Sequence, residues 1–185
     1  MKKVVVRKPT PKPADGGTAL LVIDVQQELF DKSTPVYQAE AMLKNINLLV
    51  ERAHLSGVPV IYVQHSAEKM LLKGTPGWQL HPALHPQPED GRVCKLHGNA
   101  FEDTPLEEML QAQNVSTVVA CGLVSYGCVR ATCLGALELG YRVILAADAH
   151  SNYSKDAVQQ IEKTHKLLDA AGVERKAAAE IAFGG

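Results

Sequence analysis

Residues 116–140 read STVVACGLVSYGCVRATCLGALELG. The stretch begins as a continuous apolar run, typical of a buried parallel strand, and continues with the apolar spacing of a helix. Cys128 stands where the predicted strand ends and the predicted helix begins. A thiol at a helix N-terminus meets the positive end of the helix dipole and backbone N–H donors, and both favour the thiolate. The stretch therefore predicts a strand–helix unit that carries a candidate nucleophile.

Strand and helix patterns alternate along the rest of the chain. The predicted strands cover residues 18–24, 58–63, 92–95, 117–124 and 141–147, and the predicted helices cover residues 38–56, 104–113, 129–139 and 154–171. This alternation predicts a parallel sheet covered by helices on both faces, which is a three-layer α/β/α fold. Residues 66–92 are rich in proline and glycine. They predict a long ordered loop, and in a compact domain such a loop is more often functional than idle.

The chain length and the net charge limit the classes of protein to which the chain can belong. A chain of 185 residues favours one domain, here predicted over residues 18–185 and preceded by an extended proline- and glycine-rich arm over residues 1–17. The net charge of −1, with lysine and arginine spread along the chain, argues against a nucleic-acid partner. The sequence also predicts no membrane span and no signal peptide, so we expect a cytoplasmic protein that acts on a small molecule.

Chemically active side chains follow several of the predicted strands. Asp24, Lys95 and Cys128 each stand at or just after a strand end, where ligands bind in open parallel sheets. A buried aspartate is a good base, and a lysine would stabilise a thiolate and orient the carboxylate. The thiol would attack a carbonyl carbon. Backbone N–H groups in the turn over residues 122–127 would stabilise the developing oxyanion.

Each of these residues also has a structural interpretation. Asp24 equally fits a carboxylate that binds nearby backbone N–H groups, Lys95 fits a solvated lysine, and Cys128 fits a small apolar side chain. We assign Cys121 and Cys133 to that apolar role, because one lies inside a strand and the other on a different helix face. The cysteine spacing matches no zinc pattern and contains no C-x-x-C.

Three blocks of sequence together resemble the isochorismatase-like cysteine hydrolase superfamily. They are ALLVIDVQQ at residues 19–27, VCKLHGNAFEDTPL at residues 93–106 and CGLVSYGCV at residues 121–129. The blocks occur in order, each at a strand end, and the resemblance extends from residue 18 to about residue 173. It implies the isochorismatase-like fold, with a Rossmann-like parallel sheet of mostly six strands. It also implies a homodimer or homotetramer.

The resemblance implies a role for each residue at the strand ends. Asp24 would be the catalytic base, Lys95 the catalytic lysine and Cys128 the nucleophile. A cis peptide would precede the nucleophile at Leu123–Val124, and the N–H groups of Val124 and Cys128 would form an oxyanion hole. Isochorismatase itself lacks the cysteine and cleaves a vinyl ether, so Cys128 argues against that activity.

The chain departs from the family pattern beside the nucleophile. Many members have threonine and an acidic residue where this chain has Ser125 and Tyr126, which suggests a different substrate specificity or interface. Nicotinamidases bind a metal through an aspartate and several histidines. The equivalent residues 63–68 lack that pattern, so we predict no metal or other cofactor.

Several further residues are candidates for the pocket or for a metal. We predict that the pocket is lined by His65, Trp78, Phe101 and Tyr126. Core packing is an equally good explanation for Trp78 and Phe101. A metal held by His65, His81 and His85 is a minor alternative, and His150 and His165 are expected to be structural.

The sequence therefore predicts a hydrolase of a small molecule with an amide, imide or related C–N bond, acting through a covalent intermediate on cysteine. A first alternative is a non-catalytic module for small-molecule binding or assembly on the same scaffold. A second is a thiol redox protein that uses Cys128 and Cys133. The spacing of these cysteines on a helix is poor geometry for a disulfide.

Overall fold

The computed structural model describes Lys12 and residues 15–183 of the chain. The strands are β1 (Gly17–Ile23), β2 (Val60–His65), β3 (Gly91–Lys95), β4 (Val115–Leu123), β5 (Arg142–Ser151) and β6 (Glu174–Lys176). The helices are α1 (Gln27–Phe30), α2 (Ala39–Leu55), α3 (Leu106–Ala112), α4 (Arg130–Glu138) and α5 (Ala157–Ala171). Most of the predicted arm over residues 1–17 lies outside the described residues, so the domain boundary stays a prediction.

The described strands form one six-stranded sheet with the order β3-β2-β1-β4-β5-β6. Every neighbouring pair is parallel. The chain builds outward from β1 on one side and then crosses to continue from β4 on the other. The topology therefore switches between β1 and β4, and a crevice for ligands is expected at their carboxyl ends. The predicted α/β fold with a six-stranded parallel sheet is confirmed.

Two hydrophobic cores lie on opposite faces of the sheet. Alternate β1 residues divide between them, because successive side chains of a strand point to opposite faces. Leu20 and Val22 pack with α2, whereas Leu21 and Ile23 pack with α3, α4 and α5. The buried side chains of α2 recur at the spacing of one helical face and are Met42, Leu43, Ile46, Leu49, Val50 and Ala53. No described helix combines the length and the hydropathy needed to cross a membrane.

The segment around Cys128 differs in detail from the turn predicted over residues 122–127. A π turn (Ser125–Val129) connects β4 to α4, and Gly127 within it has non-helical angles of φ −111° and ψ −110°. The peptide bond between Leu123 and Val124 is cis, as the family resemblance implied. Cys128 therefore lies in an irregular turn that precedes the regular helix.

Strand β5 is longer than its apolar pattern predicts. The pattern ends at Ala147, but the strand continues to Ser151 because pairing with β4 resumes at Gly122 and His150 after an irregularity. The short edge strand β6 has three charged residues and no apolar pattern of its own. Neighbouring backbone, rather than local sequence, determines both features.

Candidate active site

The side chains of Asp24, Lys95 and Cys128 meet at the carboxyl edge of the sheet. Asp24 directly follows β1, Lys95 is the last residue of β3, and Cys128 lies in the π turn after β4. The Lys95 ammonium donates to Asp24 Oδ2 at 2.8 Å and to Cys128 Sγ at 3.2 Å. The predicted convergence is confirmed, whereas the catalytic roles of these residues stay a prediction.

Strand register explains how a lysine reaches the centre of this site. Lys95 pairs with His65 across β2 and β3, and paired residues of parallel strands face the same side of the sheet. Lys95 Nζ lies 2.9 Å from His65 Nδ1 and donates to the His97 carbonyl at 3.2 Å. With Asp24 and Cys128, four acceptors surround an ammonium that has only three hydrogens. The solvated-lysine alternative is therefore wrong, because Lys95 is only 1% exposed.

Asp24 has one engaged and one unengaged carboxylate oxygen. Its side chain is buried, and its backbone adopts the left-handed φ of +52° at the end of β1. Oδ2 accepts the bond from Lys95, but Oδ1 is buried without a hydrogen-bond partner among the described residues. The alternative in which this carboxylate binds backbone N–H groups is thus not observed. Oδ1 has lone pairs available to take a proton.

The thiol of Cys128 is half-buried, and its pKa is raised to about 12. Burial is the main cause and the Asp24 carboxylate adds to it, while Lys95 lowers the pKa of the thiol. The expected stabilisation of the thiolate is therefore not met, since the pKa of the thiol lies above its ordinary value. Burial and the adjacent carboxylate outweigh the lowering by Lys95. Cys128 needs a base to lose its proton.

His65 contributes a neutral imidazole to the site. Burial lowers the pKa of this histidine, and the positive charge of Lys95 lowers it further. Because a lysine ammonium can only donate, His65 Nδ1 must accept, and the ring proton is then on Nε2. His65 thus contributes a neutral ring that accepts from Lys95 through Nδ1.

A lysine, rather than a metal, fits the centre of this site. One donor atom from each of Asp24, His65 and Cys128 lies within 4.8 Å of the others, as metal ligands would. Lys95 Nζ is in hydrogen-bond contact with all three, so the ammonium already supplies the positive charge that they would share. A metal would have to displace a buried and fully paired lysine.

The hypothesis of a metal held by His65, His81 and His85 is wrong. Within the described part of the chain these three residues do not form a group with metal-ligand spacing. The His81 ring instead packs against Phe30, with ring centroids 4.3 Å apart. The backbone N–H of His81 donates to the Val25 carbonyl, but its ring does not join His65 in a ligand group among the described residues.

The other predicted pocket residues divide into two groups. Tyr126 is half-buried in the π turn. Burial raises the pKa of Tyr153, and Tyr126 and Cys128 raise it further. Trp78 packs on the core, and Phe101 stacks on Tyr141 at the opposite end of β5, with centroids 5.8 Å apart. The structure favours core packing for Trp78 and Phe101 and leaves Tyr126 beside the thiol.

Sequence reasoning missed residues that hold the site in place. Gln26 is fully buried, and its amide donates to the carbonyls of His65 and Trp78 and accepts from the His65 N–H. A polar residue two positions after Asp24 at a buried strand end was an available signal. The contact between the buried Ser125 and His150 was also missed because it depends on strand register, although Ser125 stood out as a departure from the family pattern.

Comparison with known proteins identifies the family of this chain. The family model described as the isochorismatase domain matches residues 18–176, and the chain therefore belongs to the isochorismatase family. The chain is 38% identical over 148 residues to a streptothricin hydrolase of Streptomyces noursei. The alignment covers 79% of this chain but only 54% of that protein, so the chain spans about half of its length.

Solved structures support the same assignment. The crystal structure of an isochorismatase from Pseudomonas putida has a TM-score of 0.82 with 25% identity, and the match covers 93% of each chain. N-carbamoylsarcosine amidase from Thermoplasma acidophilum has a TM-score of 0.78 with 26% identity, covering 89% of this chain and 98% of that one. The fold and the family that the three sequence blocks predicted are confirmed.

Proposed function

We propose that this protein is a cysteine hydrolase that cleaves an amide, imide or related C–N bond of a small molecule. The observation that carries the proposal is the buried Lys95 ammonium in contact with both the Asp24 carboxylate and the Cys128 sulfur. Two similar proteins are named streptothricin hydrolase and N-carbamoylsarcosine amidase. Their names support a substrate with a C–N bond.

The first half of the reaction forms a covalent adduct. Asp24 takes the thiol proton, and the Cys128 sulfur attacks the carbonyl carbon to give a tetrahedral oxyanion. Backbone N–H groups of Val124 and Cys128 stabilise that oxyanion. The C–N bond then breaks as Asp24 returns the proton to the leaving nitrogen, which leaves the acyl group on sulfur.

The second half of the reaction restores the thiol. Asp24 takes a proton from water, and the resulting hydroxide attacks the acyl carbon. The bond from carbon to sulfur breaks, and Cys128 regains its proton from Asp24. The Lys95 side chain stabilises in turn the carboxylate and the thiolate. The net change is one water consumed for one C–N bond cleaved.

The test is a panel of small amides, imides and carbamoyl compounds that includes streptothricin and N-carbamoylsarcosine. We expect release of amine or ammonia by the unmodified protein and none by Cys128→Ala. Brief incubation followed by intact-mass spectrometry should show the acyl group on Cys128. The matched control is Cys94→Ala, which removes a half-buried thiol adjacent to Lys95 and should keep full activity.

Two further outcomes would favour the alternative functions. Stabilisation against heat by a panel compound, with no turnover of any compound, would favour the non-catalytic binding module and overturn the proposal. A crosslink between Cys128 and Cys133 under mild oxidant would favour the redox protein. All four cysteines are free in the structure, and Cys133 is buried in the core.

A further inference from the structure

A chain of hydrogen-bonded side chains connects the turn that carries Cys128 to the edge strand β6. Ser125, the first residue of the π turn, is fully buried, and its Oγ lies 2.8 Å from His150 Nδ1. His150 Nε2 lies 2.9 Å from His165 Nε2. His165 Nδ1 in turn lies 3.2 Å from Arg175 Nη1. The mechanism given above uses none of these groups.

The direction of each hydrogen bond in this chain is set by Arg175. Its guanidinium is oriented by two bonds to Asp169, from Nε at 2.6 Å and from Nη2 at 2.8 Å, and the remaining Nη1 meets His165. A guanidinium can only donate, so His165 Nδ1 must accept and its proton is on Nε2. That proton is donated to His150 Nε2, which leaves the His150 proton on Nδ1 as a donor to Ser125 Oγ.

This assignment requires both imidazoles to be neutral. Burial lowers the pKa of His150 to about 3, with His165 and Arg175 as further causes. Burial also lowers the pKa of His165, and so does Arg175, although Asp169 and Glu162 oppose them. Two neutral rings between an arginine and a hydroxyl can form all three bonds in only one arrangement of protons.

Ser125 is placed to control the geometry of the nucleophile. It directly follows Val124, whose carbonyl accepts bonds from the N–H groups of Gly127 at 2.9 Å and Val129 at 3.3 Å. These bonds close the turn that carries Cys128. Because Ser125 is the first residue of the turn, a hydrogen bond that holds its side chain also holds the start of the turn in place.

We propose that His150 is a positioning residue that donates its Nδ1 proton to Ser125 Oγ, in a tautomer imposed by His165 and Arg175, and thereby holds the turn that carries Cys128. The link to catalysis rests on the function proposed above. The tautomers themselves do not, because they follow from the hydrogen-bond chain alone.

The first arm of the test measures protons directly. Long-range nitrogen–proton NMR of the labelled protein near neutral pH should show His150 protonated at Nδ1 and His165 protonated at Nε2. In Arg175→Gln the enforced donor is lost, because a glutamine amide can also accept, so we expect mixed tautomers at His165. A His150 ring protonated at Nε2 in the unmodified protein would overturn the proposal.

The second arm measures catalysis on the best substrate of the panel. We expect Ser125→Ala to lower kcat on the order of 10- to 100-fold with little change in KM, because the nucleophile is displaced while the pocket remains. Ser125→Thr keeps the hydroxyl and should recover most of the rate. Ser151→Ala is the matched control, since this buried serine donates to the Tyr37 carbonyl outside the turn.

The two arms distinguish failure of this inference from failure of the proposed function. Equal kcat for Ser125→Ala and Ser151→Ala would overturn the positioning role even where Cys128→Ala is inactive. Turnover that survives Cys128→Ala would overturn the proposed function, while the NMR tautomers would still test the hydrogen-bond chain. If Ser125→Ala fails to fold, the NMR result on the unmodified protein decides.

Discussion

A single buried lysine connects the charges of the site. Lys95 holds the Asp24 carboxylate on one side and the Cys128 sulfur on the other. Burial is the main cause of the raised pKa of the thiol, and the carboxylate raises it further because a second negative charge beside Asp24 is unfavourable. Asp24 thus raises the pKa of Cys128, and in the proposed mechanism it is also the base that removes the thiol proton. This dual role gives a prediction in which the Cys128 thiol becomes more acidic while turnover falls.

We expect Asp24→Asn to make the Cys128 thiol more acidic while it removes catalysis. The amide carries no negative charge, so the carboxylate no longer raises the pKa of Cys128, and Lys95 still lowers it. Turnover should fall on the order of 100- to 10,000-fold through loss of the base. Alkylation of Cys128 by iodoacetamide near neutral pH should become faster. Asp31→Asn, at an exposed aspartate after α1, should change neither rate. Slower alkylation in Asp24→Asn would contradict this account.

Residues at strand ends could be predicted from the sequence, whereas their supporting contacts could not. Asp24, Lys95 and Cys128 each end or follow a predicted strand, and parallel topology brings strand ends together. The bond between Ser125 and His150 instead depends on β4 and β5 resuming their pairing after an irregularity. No local pattern encodes that register, so His150 could only be described as structural.

At the scale of the secondary-structure element, the pairing of the central strands β1 and β4 is as important for the geometry of the site as the turn that follows β4. Gly122 pairs with Ile23 at the end of both strands and adopts a φ of +115°. A Cβ at this position would overlap the carbonyl oxygen of Ile23 and lie 2.8 Å from its nitrogen. The backbones of the two strands approach closely there, and only glycine permits it. Asp24 directly follows Ile23, and the π turn begins shortly after Gly122.

We expect Gly122→Ala to destabilise the protein far more than Gly172→Ala. Both positions have positive φ, but a Cβ at Gly172 would meet no atom of the described residues within 4 Å. The control should therefore cost about 1–2 kcal/mol for its backbone conformation alone. Gly122→Ala adds a clash between backbones and should cost at least about 3 kcal/mol more, or prevent folding. The measurement is urea unfolding of both variants. Equal free energies of unfolding would show that the close approach of β1 and β4 is unimportant.

The whole molecule combines two apolar cores with three neutral histidines, of which His150 is buried and His65 and His165 are half-buried. The alternation along β1 that produces the two cores was readable from the sequence, because one strand supplies both faces. The neutral state of the histidines was not readable, because it depends on burial and on charges from distant elements. His65 is near Lys95, and His150 and His165 are near Arg175 of β6. The homodimer or homotetramer that the family resemblance implies stays a prediction.

These histidines predict a protein that loses stability in mild acid. The pKa of His150 is about 3 in the folded protein and near 6.5 in the unfolded chain, so unfolding takes up a proton between these values. The stabilising effect of the neutral ring is complete above the unfolded value and is lost as the pH falls below it. The free energy of unfolding should therefore decrease by about 1.4 kcal/mol per pH unit from His150 alone.

The lowered pKa values of His65 and His165 act in the same direction, with weaker effects because these rings are only half-buried. Urea unfolding from about pH 7 to about pH 5 measures the slope in a window above the usual titration of carboxylates. His150→Gln removes one titrating ring, so its slope should be shallower by about one proton whatever its absolute stability. If the slope is zero in the unmodified protein, or unchanged in His150→Gln, His150 is not held neutral by the fold. The hydrogen-bond chain from Arg175 to Ser125 would then lose the condition on which its direction depends.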